Sequence, residues 1–134
     1  MVGKVGRDGF GKTLLETASA AGVDVSRVLT DPAEATGVAH ITLEVSENDA
    51  KNRITVCPGA NFTLTVEEIT WLKARVADYD LVMLQLELPM EVVESVAAWA
   101  YEAGVPVMLN PAPAAALSDT LLGHVTYLSP NEHE

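Results

Sequence analysis

LVMLQLELP, residues 81–89, decides the class of fold. Leu81 to Leu86 make a near-continuous apolar run, the mark of a strand buried on both faces of a parallel sheet. Pro89 then opens a helix whose apolar face is Val93, Val96, Ala97 and Ala100, and Gly104 stops it. VPVML at 105–109 reads as a second buried strand, Leu117 to Leu122 as a short helical turn, and Val125 to Leu128 as a third strand. Strand–helix–strand order implies parallel strands joined by right-handed crossovers, so the class is α/β.

Working back toward the N-terminus, Thr65 and Glu68 have capping-box spacing, and Ile69, Leu72 and Val76 share the face of the helix they open. Pro58-Gly59-Ala60-Asn61 is turn chemistry. Before it the period changes to two: Val38, His40, Thr42 and Glu44 alternate with Ala39, Ile41, Leu43 and Val45. Arg53 to Cys57 reads as a second strand, so 36–61 is a β-hairpin with a long polar loop over 46–52. Residues 23–30 are short and mixed, Lys12 to Ala21 is helical with Gly22 as its stop, and Met1 to Val5 is an apolar stub broken by Gly3 and Lys4.

The 134 residues make one domain. Hydrophobic residues at 49% and charged ones at 20% exclude a disordered chain, and aromatics at 5% favour α/β over an aromatic-rich sandwich. Nineteen acidic against eight basic residues give a net charge of -11, which repels nucleic acid and anionic membrane alike. One Cys permits no internal disulfide, no apolar run reaches a membrane span, and no signal-peptide core is present, so the expected location is the cytoplasm.

Three strand ends carry the chemistry. Gln85-Leu86-Glu87, Asn110-Pro111 and Ser129-Pro130-Asn131 each follow an apolar strand. In an open parallel sheet such ends line one edge, where ligands bind. Glu87, Asn110 and Asn131 there form a polar rim suited to a hydroxyl-rich or phosphorylated small molecule. The competing explanation is that loops are wet, whatever they do. Separately, GRDGFGKT at 6–13 satisfies the phosphate-binding pattern G-x-x-x-x-G-K-[ST], with Lys12 and Thr13 in the last two places. A P-loop follows a buried strand, and here only a stub with Lys4 inside it precedes; the bland alternative is a glycine turn with a solvated lysine.

Taken in order, these segments resemble the ribokinase group of the PfkB-type carbohydrate kinases. VGRDGFG at 5–11 is similar to the family's G-x-D-x-x-G turn, TGVA at 36–39 and PGAN at 58–61 to the strands of its sugar lid, LQLE at 84–87 and LNPAPA at 109–114 to its strand ends, and NEHE at 131–134 to its N-x-x-E motif. The resemblance implies a ribokinase-like, Rossmann-type parallel sheet, present in part, with a protruding β-hairpin lid. It implies an ATP-dependent sugar kinase moving the γ-phosphoryl group to a pentose hydroxyl, with ATP, Mg²⁺ and possible use of K⁺. Glu87 would bond a sugar hydroxyl, Ala39 and Ile41 would cover the sugar, and Asn110 would shape the rim. Asn131 would lie by the nucleotide phosphates, and Glu134 would organise the water shell of Mg²⁺. Gly6, Asp8 and Gly11 would be structural, which accounts for the 6–13 match without a phosphate.

The family's chains are longer, and these residues match their middle portion. The sugar-binding Asp and Gly-Gly segment that precede it, and the general base and anion hole that follow it, have no match here. The expectation is a fragment that does not catalyse alone and contains no catalytic residue. The resemblance further implies a homodimer through the lid, where two hairpins pack as a clasp. The alternatives are a P-loop nucleotide hydrolase using 6–13 and a non-catalytic α/β binding module. His40, His124 and His133 are expected to be non-catalytic, Cys57 a small packing residue, and Trp71 and Trp99 core or partner-facing. The cluster Glu44, Glu47 and Asp49 is expected to be a solvated hairpin loop.

Overall fold

A buried ion pair explains the first element. Lys4 lies within a strand, β1 (Val2–Gly6), yet is only 8% exposed. Its Nζ is 3.3 Å from Asp31 Oδ2 and donates to the Thr63 carbonyl (3.2 Å). Asp31 ends β2 (Arg27–Asp31), which runs parallel to β1 from Val2↔Arg27 to Gly6↔Asp31. The stub is therefore a full strand, and its partner comes from a stretch that looks irregular. The structure, a computed structural model, describes residues 1–46 and 49–132, with the backbone alone at 44–46 and 49–52. It divides into two compact units, Met1–Thr63 and Leu64–Glu134.

In the first unit, α1 (Gly9–Ala20) links β1 to β2. It begins before Lys12 because extended Asp8 caps it, accepting from the Gly11 N–H at 2.8 Å. The hairpin is β3 (Val38–Ser46) against β4 (Asp49–Cys57), antiparallel from Val38↔Cys57 to Ser46↔Asp49. The long loop expected over 46–52 is mostly strand, because ladder bonds need only backbone. Glu44 and Asp49 of the acidic cluster lie in these strands; Glu47 lies outside the described residues. A 3-10 turn, Gly59–Thr63, closes the unit, with Ala60 fully buried and its N–H donating to the Ala35 carbonyl (2.8 Å).

The second unit opens with the expected capping box. Thr65 and Glu68 exchange side-chain-to-backbone bonds at the start of α2 (Val66–Ile69). Beyond it the chain tightens into 3-10 turns at Thr70–Ala74 and Val76–Asp78, which still point Leu72 and Val76 inward beside Ile69. The sheet is β5 (Val82–Leu84), β6 (Val107–Leu109) and β7 (Tyr127–Leu128), parallel in that order. The crossovers are α3 (Met90–Glu102) and α4 (Asp119–His124), the latter capped by Ser118. Val92, Val93, Val96, Ala97 and Ala100 of α3 are buried.

Burial on both faces, expected of Leu81 to Leu86, is not found. Met83 is 69% exposed and Leu81 39%, because α3 packs on one face of the sheet and only the central strand keeps Val107 and Leu109 fully buried. Among the buried apolar side chains of the described residues only Val5 and Ala60 belong to the first unit; the rest fill the second. Among the described residues no helix is long and apolar enough to cross a membrane.

Candidate functional site

The carboxyl edge of the second unit's sheet is set by backbone bonds. The Asn110 N–H donates to the Leu84 carbonyl and the Ser129 N–H to the Leu109 carbonyl, both at 2.9 Å. Each bond sets the first residue beyond one strand against the last residue of its neighbour. The Leu86 N–H donates to the Ala112 carbonyl (2.9 Å), drawing the exits of β5 and β6 together. Glu87, whose N–H donates to the Gln85 side chain, is exposed at this edge, as is Asn110. Asn131 follows on the next exit, two residues past Ser129, and is exposed too. The edge thus offers a carboxylate and side-chain amides over an apolar sheet, a donor and acceptor set suited to hydroxyl groups. Glu134 lies outside the described residues.

Among the described residues no three His, Cys, Asp or Glu side chains are grouped to hold a metal ion.

Ala39 and Ile41 belong to the first unit, on one face of the hairpin. Cross-strand pairing sets Ala39 opposite Val56 and Ile41 opposite Ile54. Paired residues share a face, so these four make an apolar stripe. Ile41 and Ile54 are each 58% exposed. His40 and Thr55 pair on the opposite face, also exposed. Cys57 ends β4 as an exposed free thiol rather than a packing residue, because solvent reaches both faces of the hairpin. His124 stacks against Tyr101 at 4.7 Å between ring centroids, Trp71 and Trp99 are half-buried, and His133 lies outside the described residues.

The polar groups of the 6–13 stretch are largely engaged within the protein, above all with Thr36. Asp8 Oδ1 accepts from the Gly11 N–H and the Thr36 hydroxyl, each at 2.8 Å, and Oδ2 accepts from the Thr36 N–H at 2.7 Å. These bonds, the Gly11 N–H first, hold the carboxyl below the usual carboxylate range. The Gly6 N–H is taken by Thr36 Oγ1 (2.9 Å), and the Thr13 hydroxyl donates to the Gly9 carbonyl (2.9 Å). Lys12, on α1, is exposed and 3.8 Å from Glu16. Thr36 appears in the sequence reading only as the first residue of TGVA at 36–39, with no bonding role. Its only signal is its place just before Gly37, where the hairpin starts.

The whole chain, residues 1–134, matches the pfkB family carbohydrate kinase model. It is 38% identical over 134 residues to ribokinases of Schizosaccharomyces pombe and Bacillus subtilis, covering all of this chain and 41% and 44% of theirs. The chain thus spans about two fifths of the length of these curated relatives. Among solved structures, Arabidopsis thaliana ribokinase complexed with ribose and ATP is 30% identical, with a TM-score of 0.82 over 98% of this chain and 43% of that one. Ribokinase from Giardia lamblia gives 28% identity and a TM-score of 0.79. The glycine turn, hairpin and strand-end rim therefore have a common explanation: this chain belongs to the pfkB family of carbohydrate kinases.

Proposed function

We propose that this chain is part of an ATP-dependent sugar kinase of the ribokinase kind, which transfers the γ-phosphoryl group of ATP to a pentose hydroxyl. The observation that carries the reading is identity to ribokinases at 38% along all 134 residues, against 32% over 114 residues for the Salmonella typhi deoxyribokinase. The polar rim supports it. Glu87 accepts a hydroxyl of the sugar, Asn110 shapes the rim, and Asn131 contacts the nucleotide phosphates. Ala39 and Ile41 give apolar contact to the sugar, and Glu134 acts on the water shell of the magnesium that accompanies ATP.

No described residue is assigned as general base, and the 134 residues alone are expected to be inert. Phosphoryl transfer depends on positioning and charge stabilisation, and the base and anion hole belong to residues outside these. The occupied N–H and hydroxyl groups of 6–13, and the Lys12–Glu16 pair, support reading that stretch as structural rather than as a phosphate cradle. We further propose that the apolar stripe of the hairpin joins two copies as a homodimer.

The test is a coupled ADP-release assay with ribose. It compares the 134-residue chain with a chimera in which these residues replace the matching part of Bacillus subtilis ribokinase. The chain should show no sugar-dependent turnover and the chimera should show it. Turnover by the chain alone would refute the division of labour, and a folded chimera inert toward every pentose would refute the substrate class.

A further inference from the structure

The hairpin leaves the first unit through one crowded point. A Cβ on Gly6 would lie 2.4 Å from the Thr36 nitrogen, and one on Gly59 would lie 2.3 Å from the Ala35 carbonyl oxygen. Gly59 also has φ +52°, in the left-handed region. The two ends of the hairpin are thus pressed against each other and against the β1–α1 turn, with no room for a side chain between them. Thr36 is 5% exposed, and it gives both its N–H and its hydroxyl proton to Asp8 while accepting from the Gly6 N–H. One carboxylate therefore joins the first turn of α1 to the first residue of the hairpin. Beyond this root the described side chains of both hairpin faces, 38–43 and 53–57, are exposed, so the bonds at the root are what restrain it among the described residues.

We propose that Asp8 is the positioning residue of the hairpin: by holding Thr36 it fixes the direction in which β3 and β4 leave the unit. On the kinase reading above, it thereby sets the apparent affinity for the pentose. The bond to Gly11 alone would make Asp8 an ordinary helix cap, a task asparagine performs as well. The two bonds to Thr36 distinguish the roles. In Asp8→Asn the amide oxygen can still face the Gly11 N–H, but the NH₂ then faces the Thr36 N–H, donor against donor. A cap survives that change and an anchor does not.

Amide hydrogen exchange on the 134-residue chain reads the difference. In Asp8→Asn the amides of Thr36, Ala60 and the base of the hairpin should exchange about tenfold faster or more. Those of α1, and of Val93 and Val107 in the second unit, should hold. Thr36→Val should reproduce the effect, and Thr36→Ser should restore protection because it keeps the hydroxyl. If Asp8→Asn also loosens α1, the Val and Ser variants decide the matter. Unchanged hairpin exchange in Asp8→Asn, or equal exchange in Thr36→Val and Thr36→Ser, would overturn the proposal.

In the chimera, Asp8→Asn should raise the KM for pentose about tenfold, with the KM for ATP and kcat within about threefold, a loss near 1.4 kcal/mol. An unmoved pentose KM in an active chimera overturns the effect on sugar affinity. A wild-type chimera without pentose turnover sinks the kinase reading instead, and the exchange data then judge the anchor by themselves.

Discussion

Asp31 ties three parts of the first unit together. Its Oδ1 accepts from the Ala33 and Glu34 N–H groups at 2.9 Å, and its Oδ2 accepts from the Thr63 hydroxyl at 2.7 Å and faces Lys4. The Glu34 N–H, then the Thr63 hydroxyl, hold its carboxyl far below the usual range. A carboxyl depressed in the folded state adds stability that is fully present above its unfolded value, near 3.9, and is lost as pH falls through the folded value. Asp31→Asn should therefore lower the urea midpoint of the first unit at pH 7, and the gap from wild type should narrow only below about pH 4. A gap independent of pH would mean that the charge is not what holds Asp31. The same residue shows why part of the fold is hidden from the sequence. Lys4 looks like a strand breaker until its partner, 27 positions on, is known, so β1 reads as a stub and β2 as irregular. The bonds between Asp8 and Thr36 are hidden likewise, because residues so far apart in the chain leave no periodic trace.

Elements defined by local chemistry were legible in advance. Thr65 with Glu68 stands as a capping box, Pro89 and Gly104 flank α3, and the alternating stretch from Val38 forms β3, although the one solvated face expected of that strand gives way to exposure of both faces over 38–43. The rim was legible because strand ends in a parallel sheet must share an edge, and the bonds from Asn110 and Ser129 put them there. What failed were judgements about surroundings: the loop taken from the polarity of 46–52, the packing role of Cys57, and burial of both faces of Leu81 to Leu86. None of these can be read from spacing alone. The hairpin's stripe carries its own test. Ile41 and Leu43 are 58% and 63% exposed on one face, opposite Ile54 and Asn52. A two-stranded ribbon is marginal in water without packing on one face. Sedimentation of the wild-type chain at tens of micromolar, on the order of ordinary dimer affinities, should show a dimer, and Ile41→Lys a monomer. A wild-type monomer under those conditions ends the clasp proposal.

Across the whole molecule the two units are stabilised by different physics. Among the described residues the first has only Val5 and Ala60 as buried apolar side chains, and it is tied by Lys4, Asp31, Thr63, Asp8 and Thr36. The second encloses Leu64, Ile69, Val76, Val93, Val107, Leu109 and Leu121, all at 1% exposure or less. Carboxylates lose their role on protonation, whereas apolar burial has no proton to gain. Acidification should therefore release amide protection in 1–63 before 64–132. Simultaneous loss, followed by exchange from pH 7 to about 2, would show that the polar ties are not what keeps the first unit folded.

Strand order has a kinetic consequence. In every sheet among the described residues the neighbours are consecutive in the chain: β1 with β2, β3 with β4, and β5 with β6 with β7. No pairing waits for a strand that must first be threaded past another. The hairpin β3–β4 closes through a short connection, whereas the parallel pairs, from Val2↔Arg27 and from Val82↔Val107, must each close a helical crossover before their ladders form, so the hairpin assembles ahead of them. A chain of this kind can acquire each sheet as its strands are synthesised, and until Tyr127–Leu128 follows, one side of the central strand Val107–Leu109 stays unpaired, the interval in which aggregation competes with folding.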